Sequence, residues 1–163
     1  MQALDDADSL LSEKGYRPEI VFFDLPGTLK SDGVIKTLSQ MDYIFTPVSA
    51  DRFVVESALQ FVMMFNDNLV TTGLAKTKAI SLFWTMVDGR EKTGLYDLYG
   101  KLFAENNFRV LDTRLPDSKR FRREPSDDRK SVFRSTILSP DTSMLKGSRI
   151  RELSEEICSI ING

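Results

Sequence analysis

The chain has 163 residues, with 24 acidic and 22 basic side chains and a net charge of −2. This balance gives no argument from bulk charge for binding to nucleic acid or to a membrane. The absence of histidine excludes histidine-based triads and histidine-ligated zinc, and the one cysteine, Cys158, cannot form an internal disulfide. A lone thiol favours a reducing compartment, and we find neither a signal peptide nor an apolar run of about 18 residues. We therefore expect a cytoplasmic protein that does not enter a membrane.

Apolar periodicity predicts helices that alternate with strands along the chain. Helices are expected over residues 2–14, 32–40, 52–69, 94–106 and 145–162, the third of them capped by Asp51. Strands are expected over 19–24, 43–48, 79–86 and 109–113, with a further short strand near 131–137. This alternation is typical of the α/β class, with a parallel sheet and flanking helices. The length fits a single domain over residues 1–163.

Residues 21–28, Val-Phe-Phe-Asp-Leu-Pro-Gly-Thr, form the most informative segment. They predict a buried parallel strand that presents Asp24 at its carboxyl end, the place where open α/β sheets bind ligands. In phosphate-binding enzymes such an Asp commonly reaches Mg²⁺, directly or through water; an Asp that caps a turn is the simpler interpretation. The strand is apolar on both faces and should be central, so its edge should be covered by another chain or by residues preceding Met1.

Four sequence blocks, in order, resemble the C-terminal part of the ParA/Soj/MinD group of deviant Walker ATPases. They are Phe-Phe-Asp-Leu-Pro-Gly-Thr-Leu at 22–29, Asp-Tyr-Ile-Phe-Thr-Pro-Val at 42–48 with Glu-Ser-Ala-Leu at 56–59, Leu-Phe-Trp-Thr-Met-Val-Asp-Gly-Arg at 82–90, and Val-Leu-Asp-Thr-Arg-Leu-Pro at 110–116 with Arg-Glu-Pro-Ser at 123–126. The pattern is similar to the branch encoded on mobile elements such as conjugative transposons. The family's P-loop is missing, because no Gly-x-x-x-x-Gly-Lys-Ser/Thr motif occurs in the sequence.

The resemblance implies a partial P-loop NTPase-like fold without its first strand and Walker A loop. It implies ATP and Mg²⁺ as cofactors of a complete protein, with Asp24 holding Mg²⁺ through water. The implied nucleotide-binding residues are Asp24, Pro26, Gly27, Thr85, Met86 and Pro116, the last three beside the adenine; an ordinary βα turn and strand-end packing are the simpler interpretations. Without a P-loop to hold the β- and γ-phosphates, we expect no catalytic residue in this chain and no nucleotide bound to it alone.

Residues 114–134 carry eight basic and four acidic side chains, an excess of +4 that leaves −6 for the remainder of the chain. Such asymmetry can direct one face toward DNA phosphates, and members of the family bind DNA without sequence preference through basic residues toward the C-terminal side. The expected DNA-binding residues are Arg120, Arg122, Arg123, Arg129 and Lys130. A solvated loop with Arg–Asp pairs explains the same composition.

Two functions remain open. The first is a fragment of a ParA-like ATPase in DNA partition or conjugative transfer, whose ATP hydrolysis requires the missing N-terminal P-loop. It would form a homodimer, with nonspecific DNA and a ParB-like or transfer-machinery protein as partners. The second is a degenerate standalone module that binds DNA or a protein without nucleotide. A flavodoxin-like receiver domain is disfavoured, because the order of acidic residues that a receiver requires is missing.

Overall fold

The computed structural model describes residues 2–25, 32–90, 94–118 and 142–163. Within these ranges the helices are α1 (Gln2–Glu13), α2 (Asp32–Leu38), α3 (Arg52–Phe65), α4 (Gly94–Glu105), α5 (Thr142–Leu145) and α6 (Ile150–Asn162), and a π-helical turn at Asn66–Val70 follows α3. The strands are β1 (Tyr43–Val48), β2 (Ala79–Trp84) and β3 (Arg109–Val110). They form a parallel sheet in the order β1-β2-β3, which confirms the α/β class. None of the described helices is both long and apolar enough to span a bilayer.

The chain divides into two compact units. The first comprises Met1–Ile44 and Met64–Ala79, and the second comprises Phe45–Met63 and Ile80–Gly163. In the first unit, α1 ends in a Schellman motif: the N–H of Tyr16 donates to the C=O of Leu11 over 2.9 Å, and Gly15 has a φ of 68°. The left-handed conformation favours glycine at this position. The predicted end of the first helix is thereby confirmed.

The core of the second unit lies between the sheet and helices α3 and α4. Its buried side chains are Val48, Val55, Ala58, Val62, Leu82, Trp84, Tyr96, Phe103 and Phe108. Trp84 is the largest of them, and its ring meets Tyr96 edge-on with the ring centroids 5.1 Å apart. The centroid of Phe103 lies 6.1 Å away. The last residue of β2 is thus anchored by aromatic contacts directly before the chain leaves the strand.

The strand predicted over residues 19–24 is wrong. Residues 20–25 have no regular secondary structure, and the side chains of Val21 and Phe22 are 46% and 70% exposed. An apolar run becomes a strand only if another backbone pairs with it, and within the described ranges the sheet contains β1, β2 and β3 alone. The other strands are in the predicted places, although β2 and β3 are shorter than expected. The strand predicted near 131–137 lies outside the described residues.

Strand β1 forms one edge of the sheet, and no other described strand pairs with its far side. The C=O groups of Asp42 and Val48 accept hydrogen bonds from the N–H groups of Lys78 and Thr85, over 2.7 and 2.9 Å. Because backbone groups alternate sides along a strand, the even-numbered residues face β2 and Pro47 faces away from it. A proline has no N–H to donate, so this orientation costs the sheet no hydrogen bond.

Helix α3 begins at the predicted cap. The Asp51 carboxylate accepts hydrogen bonds from the backbone N–H groups of Phe53 and Val54, over 2.9 and 3.1 Å. We expect Asp51→Ala to lower the free energy of unfolding by about 1 kcal/mol, because two N–H groups in the first turn lose their acceptor. Urea denaturation followed by circular dichroism measures the loss. The control Asp51→Asn keeps a side-chain acceptor and should be close to wild type; equal losses in both variants would contradict the capping role.

Candidate functional site at the carboxyl ends of β2 and β3

The pairing of β2 with β3 continues beyond the regular strands. The N–H of Leu115 donates to the C=O of Trp84 over 2.8 Å. Further on, Val87 and Pro116 form an isolated parallel bridge. The carboxyl ends of the two strands therefore remain side by side at the edge of the sheet where α/β proteins bind ligands.

A bulge interrupts the β3 side of this ladder. Leu111 donates to Leu82 over 2.8 Å, whereas the next bond to β2 runs from Leu115 to Trp84. In a regular parallel ladder Thr113, two residues after Leu111, would donate to Trp84. Two additional residues therefore leave the ladder between Leu111 and Leu115. Bulges of this kind are over-represented beside functional sites, where they redirect side chains.

A second bulge lies opposite, on the β2 side. Val87 donates to the C=O of Leu115 over 3.0 Å, at the step where a regular ladder would use Met86. Met86 has a φ of 54°, in the left-handed region, and its side chain is 51% exposed. A residue with a Cβ adopts this conformation at a cost of about 1–2 kcal/mol, so the surrounding contacts must impose it.

The structure brings together the three residues expected beside the adenine. Thr85 and Met86 occupy the β2 bulge, and Pro116 pairs with Val87, the residue that follows the bulge. Thr85 and Pro116 are half-buried, and the N–H of Thr85 donates to the C=O of Val48 over 2.9 Å. The three residues follow two different strands, and the continued parallel pairing brings the two segments together.

Of the other predicted site residues, Asp24 lies within the described ranges. Asp24 is exposed and belongs to the first unit. Among the described residues no group of three or more acidic or cysteine side chains is arranged to hold a metal ion. The predicted nucleotide-binding residues Pro26 and Gly27 lie outside the described residues. The same applies to the predicted DNA-binding residues Arg120, Arg122, Arg123, Arg129 and Lys130.

A tight turn follows the β2 bulge. The Asp88 carboxylate accepts a hydrogen bond from the backbone N–H of Arg90 over 2.9 Å and lies 3.3 Å from its Nε. The backbone hydrogen bond and the guanidinium lower the pKa of the Asp88 carboxyl. Both side chains are exposed, and the pair is a local ion pair that closes the turn.

Arg114, in the β3 bulge, contacts two residues of α4. Its guanidinium lies 5.1 Å from the centre of the Tyr96 ring and 3.6 Å from an Asp97 carboxylate oxygen. The Arg114 side chain is 35% exposed, so solvent screens it only in part. The Tyr96 ring and the Asp97 carboxylate therefore both attract the guanidinium. The sequence indicated Arg114 only as one of several basic residues, because its partners lie on a separate helix.

Glu156, on α6, is a residue of this site that was not expected from the sequence. Its Oε1 accepts a hydrogen bond from the N–H of Asp112 over 2.7 Å, and its Oε2 accepts one from the N–H of Thr113 over 2.9 Å. Burial by itself would raise the pKa of the Glu156 carboxyl. The hydrogen bonds from Thr113 and Asp112 and the charge of Arg109 outweigh burial and lower that pKa. One feature of the sequence could have indicated it: Glu156 lies three residues after the buried Leu153, and residues three apart lie on the same face of a helix.

Comparisons of this chain with protein-family models, curated proteins and solved structures each found no match.

Proposed function

We propose that this chain supplies the adenine-side part of a ParA-like ATPase that acts in DNA partition or in conjugative transfer of a mobile element. One observation carries the proposal. Thr85 and Met86 directly precede Val87, and Val87 pairs with Pro116 beyond the carboxyl ends of the adjacent parallel strands. The sequence resemblance independently assigns the same three residues to the adenine.

The chemistry of this edge suits a purine base. An adenine ring needs an apolar slot with polar groups at its edge. Met86 offers an exposed, polarizable side chain on one strand, and Pro116 offers an apolar ring on the other. Because the ladder passes from Trp84 to Val87, Met86 stands outside the regular pairing of the strands.

The phosphate side of the nucleotide site is not supplied by these residues. Hydrolysis in this family requires a P-loop, and the sequence contains none. In a complete protein, Asp24 would hold Mg²⁺ through water, with Pro26 and Gly27 in the loop after it. The basic side chains between Arg120 and Lys130 would contact DNA phosphates in a homodimer, and a ParB-like or transfer-machinery protein would be the partner.

A titration with adenosine tests the adenine-side proposal. The methionine methyl groups are labelled with ¹³C, and the Met86 signal is assigned from the Met86→Leu variant. We expect the Met86 signal to shift and saturate with a dissociation constant of about 1 mM, because half a site binds weakly. Met63 and Met64 on α3 are 37% and 39% exposed and serve as internal controls.

Two results would count against the proposal. One is an unmoved Met86 signal at several times the expected dissociation constant. The other is an equal movement of Met63, Met64 and Met86, which would indicate nonspecific contact of the nucleoside with exposed methionines. Either result favours the alternative, a module that binds DNA or a protein without nucleotide.

A further inference from the structure

We infer that Glu156 is a positioning residue that selects the bulged register of β3 and so pairs Pro116 with Val87, the residue directly after Thr85 and Met86. The consequence for adenine binding depends on the proposed function above. The selection of register does not depend on it.

The bulge removes one backbone donor, the N–H of Thr113, from the ladder, whereas the N–H of Asp112 would point away from β2 even in a regular ladder. The N–H groups of Asp112 and Thr113 lie between the bonds that Leu111 and Leu115 make to β2. Thr113 is 5% exposed, so its N–H needs a partner inside the protein. The Glu156 carboxylate provides one oxygen for each N–H. Two oxygens on two successive donors fix the orientation of this segment as well as its hydrogen bonding.

An alternative register is available to the same chain. In a regular ladder the N–H of Thr113 would donate to the C=O of Trp84, the acceptor that Leu115 uses in the structure. A shift of two residues would move Pro116 along the strand by about 6–7 Å, away from Val87. The bond from Glu156 to Thr113 competes directly with this arrangement, because it occupies the N–H that the regular ladder would use.

The charged groups around Glu156 determine how its contact with β3 depends on pH. Arg109 of β3 is the charged residue that favours its ionised form, Asp112 carries a carboxyl in the same segment, and Glu152 and Glu155 lie on its own helix. Since the folded-state pKa is below the unfolded value, the contact stabilises the protein at neutral pH. The stabilisation is lost as the pH falls through the lowered folded-state pKa of Glu156.

The decisive experiment measures the NMR scalar coupling across the hydrogen bond from the Leu115 N–H to the Trp84 C=O. The coupling should be present in the wild type, reduced in Glu156→Gln, which keeps one oxygen acceptor, and lost in Glu156→Ala. The matched control is Glu155→Ala, an exposed glutamate on the same helix, and it should keep the coupling. An unchanged coupling in Glu156→Ala would overturn the inference.

A second readout separates this inference from the proposed function. In Glu156→Ala the affinity for adenosine, followed at the Met86 signal, should fall by at least about tenfold. This is the effect expected when the apolar contact between Pro116 and the base is lost. Loss of the coupling in Glu156→Ala, with no adenosine binding even by the wild type, would support the register role and reject the nucleotide site. If Glu156→Ala does not fold, an acid titration of the wild type provides the test. The coupling should disappear as Glu156 is protonated, and its persistence in folded protein would overturn the inference.

Discussion

Replacement of Trp84 by alanine is expected to lower the free energy of unfolding by about 3–5 kcal/mol. The side chain is 2% exposed and contacts the rings of Tyr96, Tyr99 and Phe103. Its loss would leave a cavity where the last residue of β2 meets α4. Domains of this size commonly have a total stability of about 5–15 kcal/mol, so the variant should be marginally folded at room temperature.

Urea denaturation followed by circular dichroism measures this effect. It does not depend on tryptophan fluorescence, which is lost when the single tryptophan of the chain is replaced. The control is Trp84→Phe, which keeps an aromatic ring against Tyr96 and Phe103 and should lose clearly less stability. If the alanine variant loses under about 1 kcal/mol, or if both variants lose the same amount, the aromatic cluster does not stabilise the second unit as described.

Replacement of Arg120, Arg122 and Arg123 by glutamate is expected to weaken DNA binding by at least about 100-fold near 0.1 M salt. Each basic side chain on a phosphate releases counterions, so three lost contacts should reduce the salt slope of the binding constant by about 3. Fluorescence anisotropy with a labelled duplex of mixed sequence, at several salt concentrations, measures both quantities.

The control for DNA binding carries the same change in net charge at other positions. Lys14, Lys36 and Lys101 are exposed, and their replacement by glutamate should have a much smaller effect. Equal losses in the two triple variants would mean that binding responds to net charge alone. No measurable binding by the wild type would exclude DNA as a partner.

The helices and the positions of three of the strands along the chain were predictable because they depend on local patterns. Helix α3 shows this most clearly, since Asp51 and the apolar positions after it determine where it begins. The parallel pairing of β2 with β3 also follows from the alternation of strands with helices, and it brings Thr85 and Met86 close to Pro116.

The failed strand prediction and the unpredicted bulges both depend on contacts with distant parts of the chain. The apolar run at Ile20–Phe23 has the composition of a central strand, but composition does not show whether a neighbouring strand is present to pair with it. The bulges could not be read from the sequence, because they depend on the register of β3. That register is held by Glu156, which is more than 40 residues away from the N–H groups that it binds.

The orientation of Pro47 restricts how this protein can associate with itself. The outer side of β1 offers carbonyl acceptors but lacks a donor at Pro47, so a strand added there would form an interrupted ladder. A continuous sheet running through two copies of the chain is therefore disfavoured at this edge. A homodimer of the proposed kind would have to associate through side chains or through another surface.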